Sequence, residues 1–176
     1  MKNTSSRTGT VGTAFQPFLG IRNVPTALSR VESAALHRLT HGKRVVEAGA
    51  LLGYSTLVIA SGAVEVISID RHDGYSGSTW NRYRSNLLRF APGNVNAIKG
   101  DCLLELPHHS VEVAFLDLTG ERDLTLAALN ALHPIVGLTL IHDVNRVHCD
   151  GVMEAIRASR WQLIEAVDTL GVLIPK

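Results

Sequence analysis

The chain has 176 residues, 45% of them apolar and 19% charged, with 15 Gly and 6 Pro. That length suits one domain with its own core, and the composition excludes wholesale disorder and collagen-like repeats. A formal net charge of +1 gives no basic field for nucleic acid, and no apolar run reaches the roughly 18 residues of a membrane helix.

Residues 1–24 read as a polar N-terminal arm, because Gly12, Gln16, Pro17 and Gly20 break any apolar face or signal-peptide core. Residues 25–176 read as a single domain. Apolar spacing from Ala27 to Leu39 predicts a helix over Thr26–Thr40, stopped by His41-Gly42. A buried strand follows over Lys43–Gly49, then a helix over Tyr54–Ala60 and a β-branched strand over Val64–Ile69, ending at Asp70. A loop from Arg71 to Ser78 leads into a helix over Thr79–Phe90, which Ala91-Pro92-Gly93 breaks.

Val95–Lys99 is a short strand, and Gly100-Asp101 turns the chain into a brief helix over Leu103–Leu106. A strand over Val111–Leu116 ends at Asp117, a helix covers Leu124–Leu132, and a strand over Ile135–Ile141 ends at His142-Asp143. A helix over Val152–Ala158 precedes two closing strands, Trp161–Val167 and Gly171–Ile174. Strands alternating with helices predict an α/β fold, a doubly wound and mostly parallel sheet. The last two strands are too close for a crossover helix, so they pair as an antiparallel hairpin.

Two cysteines, Cys102 and Cys149, form no CxxC pair, which removes the usual zinc spacing and suggests a reduced, cytoplasmic setting. The acidic residues carry more information. Glu47, Asp70, Asp101, Asp117 and Asp143 all fall at or just beyond strand ends, where ligands bind in open α/β sheets. Helix capping is the competing explanation for any one of them. The first turn, Glu47-Ala-Gly49-Ala-Leu-Leu-Gly53-Tyr-Ser55, has two glycines that permit a tight turn and close backbone approach. Asp70 follows Gly49 by 21 residues, near the distance at which an acid meets a ribose hydroxyl pair. The pattern is not GxGxxG, which disfavours a pyrophosphate-bearing dinucleotide.

Glu-Ala-Gly-Ala-Leu-Leu-Gly-Tyr-Ser-Thr resembles the first motif of class I S-adenosylmethionine-dependent methyltransferases, closest to the catechol O-methyltransferase-like and cephalosporin-hydroxylase-like branches. The resemblance runs from about Lys43 to the end through Ile-Ser-Ile-Asp70, Lys-Gly-Asp101-Cys102, Phe-Leu-Asp117 and Ile-His-Asp143. It implies a Rossmann-like, seven-stranded sheet with one antiparallel strand in the C-terminal hairpin. It also implies S-adenosylmethionine as cofactor. Gly49 and Gly53 would then line the methionine part and Ser55 its carboxylate. Asp70 would take the ribose hydroxyls, and Asp101 and Cys102 would flank the adenine. Asp117 would stand between cofactor and substrate, and Glu47 belongs to the same cofactor-binding motif.

In the metal-dependent branch a divalent cation, Mg or Mn, holds the substrate oxygens. Asp117 and Asp143 match two of its ligands, and His142 offers a third. Val144 stands where that branch has Asn or Asp, and Gly120 where it has Lys or His. His142 has three readings: general base, metal ligand, or a packed histidine under a loop. His37, His41, His108, His109 and His133 read as surface residues. The segment from His72 to Asn86 is rich in polar and aromatic residues; the helix there reads as amphipathic with Trp80 and Leu87 inward, and His72 and Tyr75 ahead of it as lid candidates.

The sequence therefore leads to methyl transfer from S-adenosylmethionine to an oxygen, or less favourably a nitrogen, of a small-molecule acceptor. Asp117, His142 and Asp143 are the catalytic candidates. Two rivals remain: a non-catalytic cofactor-binding protein on the same fold, and an NAD-linked oxidoreductase, which the absence of GxGxxG and Tyr-x-x-x-Lys disfavours. Little chain is left for an acceptor pocket, so a second copy could complete it as a homo-oligomer. The acceptor itself is not written in these residues.

Overall fold

The computed structural model describes residues 21, 23–73, 79–90 and 92–176. Most of the expected arm, residues 1–20, and the lid candidate Tyr75 lie outside them. Ile21 and Val24, the last apolar residues of the arm segment, are buried in the same core cluster as Leu36 and Val58.

Helix α1 spans Arg30–Thr40, starting later than the apolar spacing from Thr26 predicts. The reason is local. Ser29 Oγ accepts from Glu32 N, and Glu32 Oε2 accepts from Ser29 N at 2.7 Å, a capping box that fixes the helix start. Strand β1 (Arg44–Ala48), helix α2 (Tyr54–Ala60), strand β2 (Glu65–Asp70), helix α3 (Thr79–Phe90) and strand β3 (Val95–Lys99) follow close to their predicted spans. Then come α4 (Cys102–Glu105), β4 (Val113–Leu116), α5 (Arg122–Ala131), β5 (Leu138–Ile141) and α6 (Asp150–Ala158). The hairpin of β6 (Trp161–Val167) and β7 (Leu170–Pro175) closes the chain. Strand β5 begins after Ile135 because Val136 N turns back to His133 O.

The seven strands form one sheet in the order β3-β2-β1-β4-β5-β7-β6. The first five are parallel, and β7 runs antiparallel to both β5 and β6. The central strands are near-continuous apolar runs because both sheet faces are covered. Alternation sends Val45, Val113, Phe115 and Leu140 to one face, in the core with α1 and α2. Val46, Ala114, Leu116 and Ile141 go to the other, with α5 and α6. In α3 the fully buried aromatic is Tyr83, whereas Trp80 and Leu87 are only partly buried. No helix among the described residues is long and apolar enough to cross a membrane.

Candidate active site

A cavity of about 500 Å3 opens outside the carboxyl ends of β1, β2 and β4. It lies where the strand order reverses about β1, the position at which open α/β sheets bind ligands. Residues 49–52 of the β1–α2 turn form its floor, and Pro25–Leu28 form a wall ahead of α1.

The turn is built around Gly49. Its φ is +92°, and a Cβ there would sit 2.0 Å from the carbonyl oxygen of Asp117. Only glycine lets the exits of β1 and β4 pass this closely. Gly53 has a different task. Its φ is +89°, and its missing Cβ makes room for the ring of Tyr83, so it supports the turn without lining the cavity.

Asp70 then locks the loop. Its Oδ2 accepts from Ala50 N and Leu51 N, each at 2.8 Å, and its Oδ1 accepts from His72 N at 2.7 Å. Asp101 caps α4 by accepting from Leu103 N at 2.9 Å, and it also lines the cavity beside Cys102. Capping and cavity placement thus coexist in one residue. Burial pushes the Cys102 thiol up.

Glu47 is fully buried beneath the turn. It accepts from the hydroxyls of Ser55, Thr56 and Ser68, tying β1, α2 and β2 together. Burial raises its pKa to about 7 despite the three hydroxyl donors. Of this network, Ser55 reaches the cavity and Glu47 does not.

At the ends of β4 and β5, three side chains converge. His142 Nδ1 lies 3.1 Å from Asp117 Oδ1 and 3.3 Å from Asp143 Oδ1. On the other side of the ring, Nε2 is 3.6 Å from Glu32 Oε1. Burial opposes charge on this imidazole, but the Asp117 hydrogen bond and the charges of Asp117, Asp143 and Glu32 outweigh it and raise its pKa. Glu32 is 2% exposed and accepts from both the amide and the hydroxyl of Thr169, at 2.9 and 2.6 Å. Burial raises its pKa, yet these bonds, the Ser29 amide and His142 bring it below the ordinary value. Arg146 pairs with Asp143 at 3.0 Å.

One ligand atom from each of Asp117, His142 and Asp143 lies within 4.8 Å of the others, so this donor set fits a single divalent ion. The two departures from the metal-dependent pattern have structural causes. Gly120 has φ +79°, and a Cβ there would approach Cys149 Sγ to 3.0 Å. Val144 is buried and packs against Gly171.

No family model and no curated protein matches this sequence. Solved structures match it over most of its length. The SAM-dependent O-methyltransferase of Thermotoga maritima superposes with a TM-score of 0.69 at 13% identity, covering 90% of this chain and 69% of that one. The SAH-bound methyltransferase PaMTH1 of Podospora anserina gives 0.66 at 16% identity, covering 85% and 80%. An O-methyltransferase of Bacillus cereus in complex with SAH gives 0.61 at 19% identity, covering 89% and 86%. The chain has the class I S-adenosylmethionine-dependent methyltransferase fold.

On this methyltransferase fold, Gly49, Ser55, Asp70, Asp101, Cys102 and Asp117 line one cavity. Glu47 and Gly53 lie beneath it, and His142 and Asp143 stand behind Asp117. Glu32, Thr169 and Arg146 were not singled out from sequence. The Ser29-x-x-Glu32 capping box was a visible signal for Glu32 as a helix-start residue. Nothing local signals that it meets Thr169, 137 residues away.

Proposed function

We propose that the protein transfers a methyl group from S-adenosylmethionine to an oxygen of a small-molecule acceptor. The observation that carries this reading is the joining of Gly49, Asp70 and Asp117 in one cavity at the sheet's switch point. The three neighbours described above, two of them O-methyltransferases by name and two with SAH bound, support it. S-adenosylmethionine would supply the electrophilic methyl group, and the chain would supply position.

The amides of Ala50 and Leu51 hold Asp70 in place at the ribose end. Leu28, Leu51, Leu118 and Leu124 give the cavity apolar walls. Asp117, with 29% of its side chain exposed, has access to the cavity and is the carboxylate available to an acceptor's proton or to an ammonium group. His142, at 2% exposure and facing carboxylates on both sides, is a positioning residue that acts through Asp117. Asp117, His142 Nδ1 and Asp143 would hold a divalent ion, whose charge would favour the ionised form of an acceptor hydroxyl.

Calorimetry with S-adenosylmethionine, S-adenosylhomocysteine and NAD in parallel tests the cofactor. The first two bind and NAD does not. No heat and no melting shift from either of the first two, even at millimolar concentration, overturns the reading. A titration with Mn2+ on wild type and Asp143→Asn tests the metal. Wild-type binding that the variant loses supports a functional ion. Methyl transfer that survives exhaustive chelation removes the ion and leaves Asp117 with its His142 partner.

A further inference from the structure

A carboxylate offers about four lone-pair positions. On Asp70, the amides of Ala50 and Leu51 take both positions on Oδ2, and the amide of His72 takes one on Oδ1. One position remains. Asp70 can therefore accept from one sugar hydroxyl, and it has nothing with which to donate back to that hydroxyl.

The His72 ring stands beside Asp70 Oδ1. It lines the cavity, its side chain is 1% exposed, and its buried Nδ1 has no hydrogen-bond partner among the described residues. A buried polar atom left unpaired is unusual and calls for a ligand or a reason. Nδ1 lies 3.8 Å from Asp70 Oδ1. That is too long for a direct hydrogen bond. It is a span that one hydroxyl oxygen bridges, donating to the carboxylate and accepting from the ring.

The ring cannot easily turn away. His72 has φ +53°, and its ring centroid is 5.1 Å from that of Trp80 and 5.1 Å from that of Tyr83. Thr79 Oγ1 donates to the His72 carbonyl at 3.2 Å. Burial, with help from Lys99, lowers the His72 pKa against the pull of Asp70, which favours the neutral ring. The facing carboxylate then favours the tautomer with its proton on Nδ1.

We propose that His72 is a second ribose-binding residue, donating from Nδ1 to the same sugar hydroxyl that donates to Asp70 Oδ1. This assignment rests on the cofactor reading above and adds a specificity determinant to it.

The test is calorimetry on the full chain with S-adenosylhomocysteine and its 2′-deoxy and 3′-deoxy analogues, for wild type and His72→Phe. Phenylalanine keeps the aromatic packing and removes the donor. Wild type loses affinity for the analogue that lacks the bridged hydroxyl. His72→Phe binds S-adenosylhomocysteine roughly three- to tenfold more weakly, and its penalty for losing that hydroxyl shrinks by the same factor. Its penalty for losing the other hydroxyl stays at the wild-type value. If the phenylalanine chain does not fold, His72→Asn tolerates the left-handed backbone, is too short to reach, and is read in the same way.

A variant that binds all three ligands as wild type does, or that loses all three by one common factor, overturns the role of His72 while leaving the cofactor reading intact. A wild-type chain that does not bind S-adenosylhomocysteine overturns both.

Discussion

The cavity's two ends are held by different kinds of contact. At the β1–β2 end, the backbone amides of Ala50, Leu51 and His72 converge on Asp70, and two glycines with positive φ shape the turn. At the β4–β5 end, the polar contacts run mostly from side chain to side chain, with the Thr169 amide added, and they join α1, β4, β5 and the β6–β7 turn through Glu32, Asp117, His142, Asp143 and Thr169. The first end depends on local chain geometry, so single changes there should be severe. The second depends on charge balance among separate segments, so its losses should be graded and sensitive to pH.

The sharpest break is Gly49→Ala. A Cβ 2.0 Å from the Asp117 carbonyl, at φ +92°, cannot be accommodated without separating β1 from β4. The expected loss is more than about 4 kcal/mol, in the range where a domain ceases to fold. Far-UV circular dichroism with chemical denaturation checks it, and a variant of near-wild-type stability would show that the turn can relax.

Glu47 lies between the two patterns, since it is buried under the turn yet held only by side chains. Its folded pKa of about 7 exceeds its ordinary value of 4.5, so the folded chain keeps a proton that the unfolded chain has released. The stability this contributes is present at low pH and is lost as pH rises from about 4.5 to about 7, a fall on the order of 3 kcal/mol. Glu47→Gln removes that slope. Denaturation curves at about pH 5 and about pH 8 read the difference.

Asp70→Ala leaves the amides of Ala50, Leu51 and His72 without their carboxylate and takes the acceptor from the cavity. Binding of S-adenosylhomocysteine should weaken by roughly 1.5–3 kcal/mol, with stability falling as well. Thr169→Val is the mildest change. It removes one hydroxyl from Glu32 at the far side of His142 while the Thr169 amide stays bonded. Stability should fall by about 1 kcal/mol with little change in cofactor affinity. If affinity falls as far as it does in Asp70→Ala, the two ends are coupled and the contrast between them fails.

Much of the β1–β2 end was legible in the sequence because its parts are close along the chain. The turn from Glu47 to Ser55 follows a short apolar strand, and Asp70 closes the next one. Two things were not legible there. The motif does not reveal that Gly53 makes room for the ring of Tyr83, because that depends on where α3 lands. Nor does it reveal that three backbone amides already occupy Asp70, because they come from the folded loop. In α3, periodicity pointed to Trp80 as the inward aromatic, and the structure buries Tyr83 instead.

The sequence by itself determined the order of strands and helices, the reversed hairpin and the acidic strand ends. These follow from apolar periodicity, short connections and turn residues, all of which act over a few neighbouring positions. The tertiary structure alone decided that Glu32 would meet His142 and Thr169, that His142 would lie buried between carboxylates, and that His72 would face Asp70 with a nitrogen unpaired among the described residues. Each of those depends on contacts between distant segments, where the sheet order and the burial of charge set the partners and no local pattern records them.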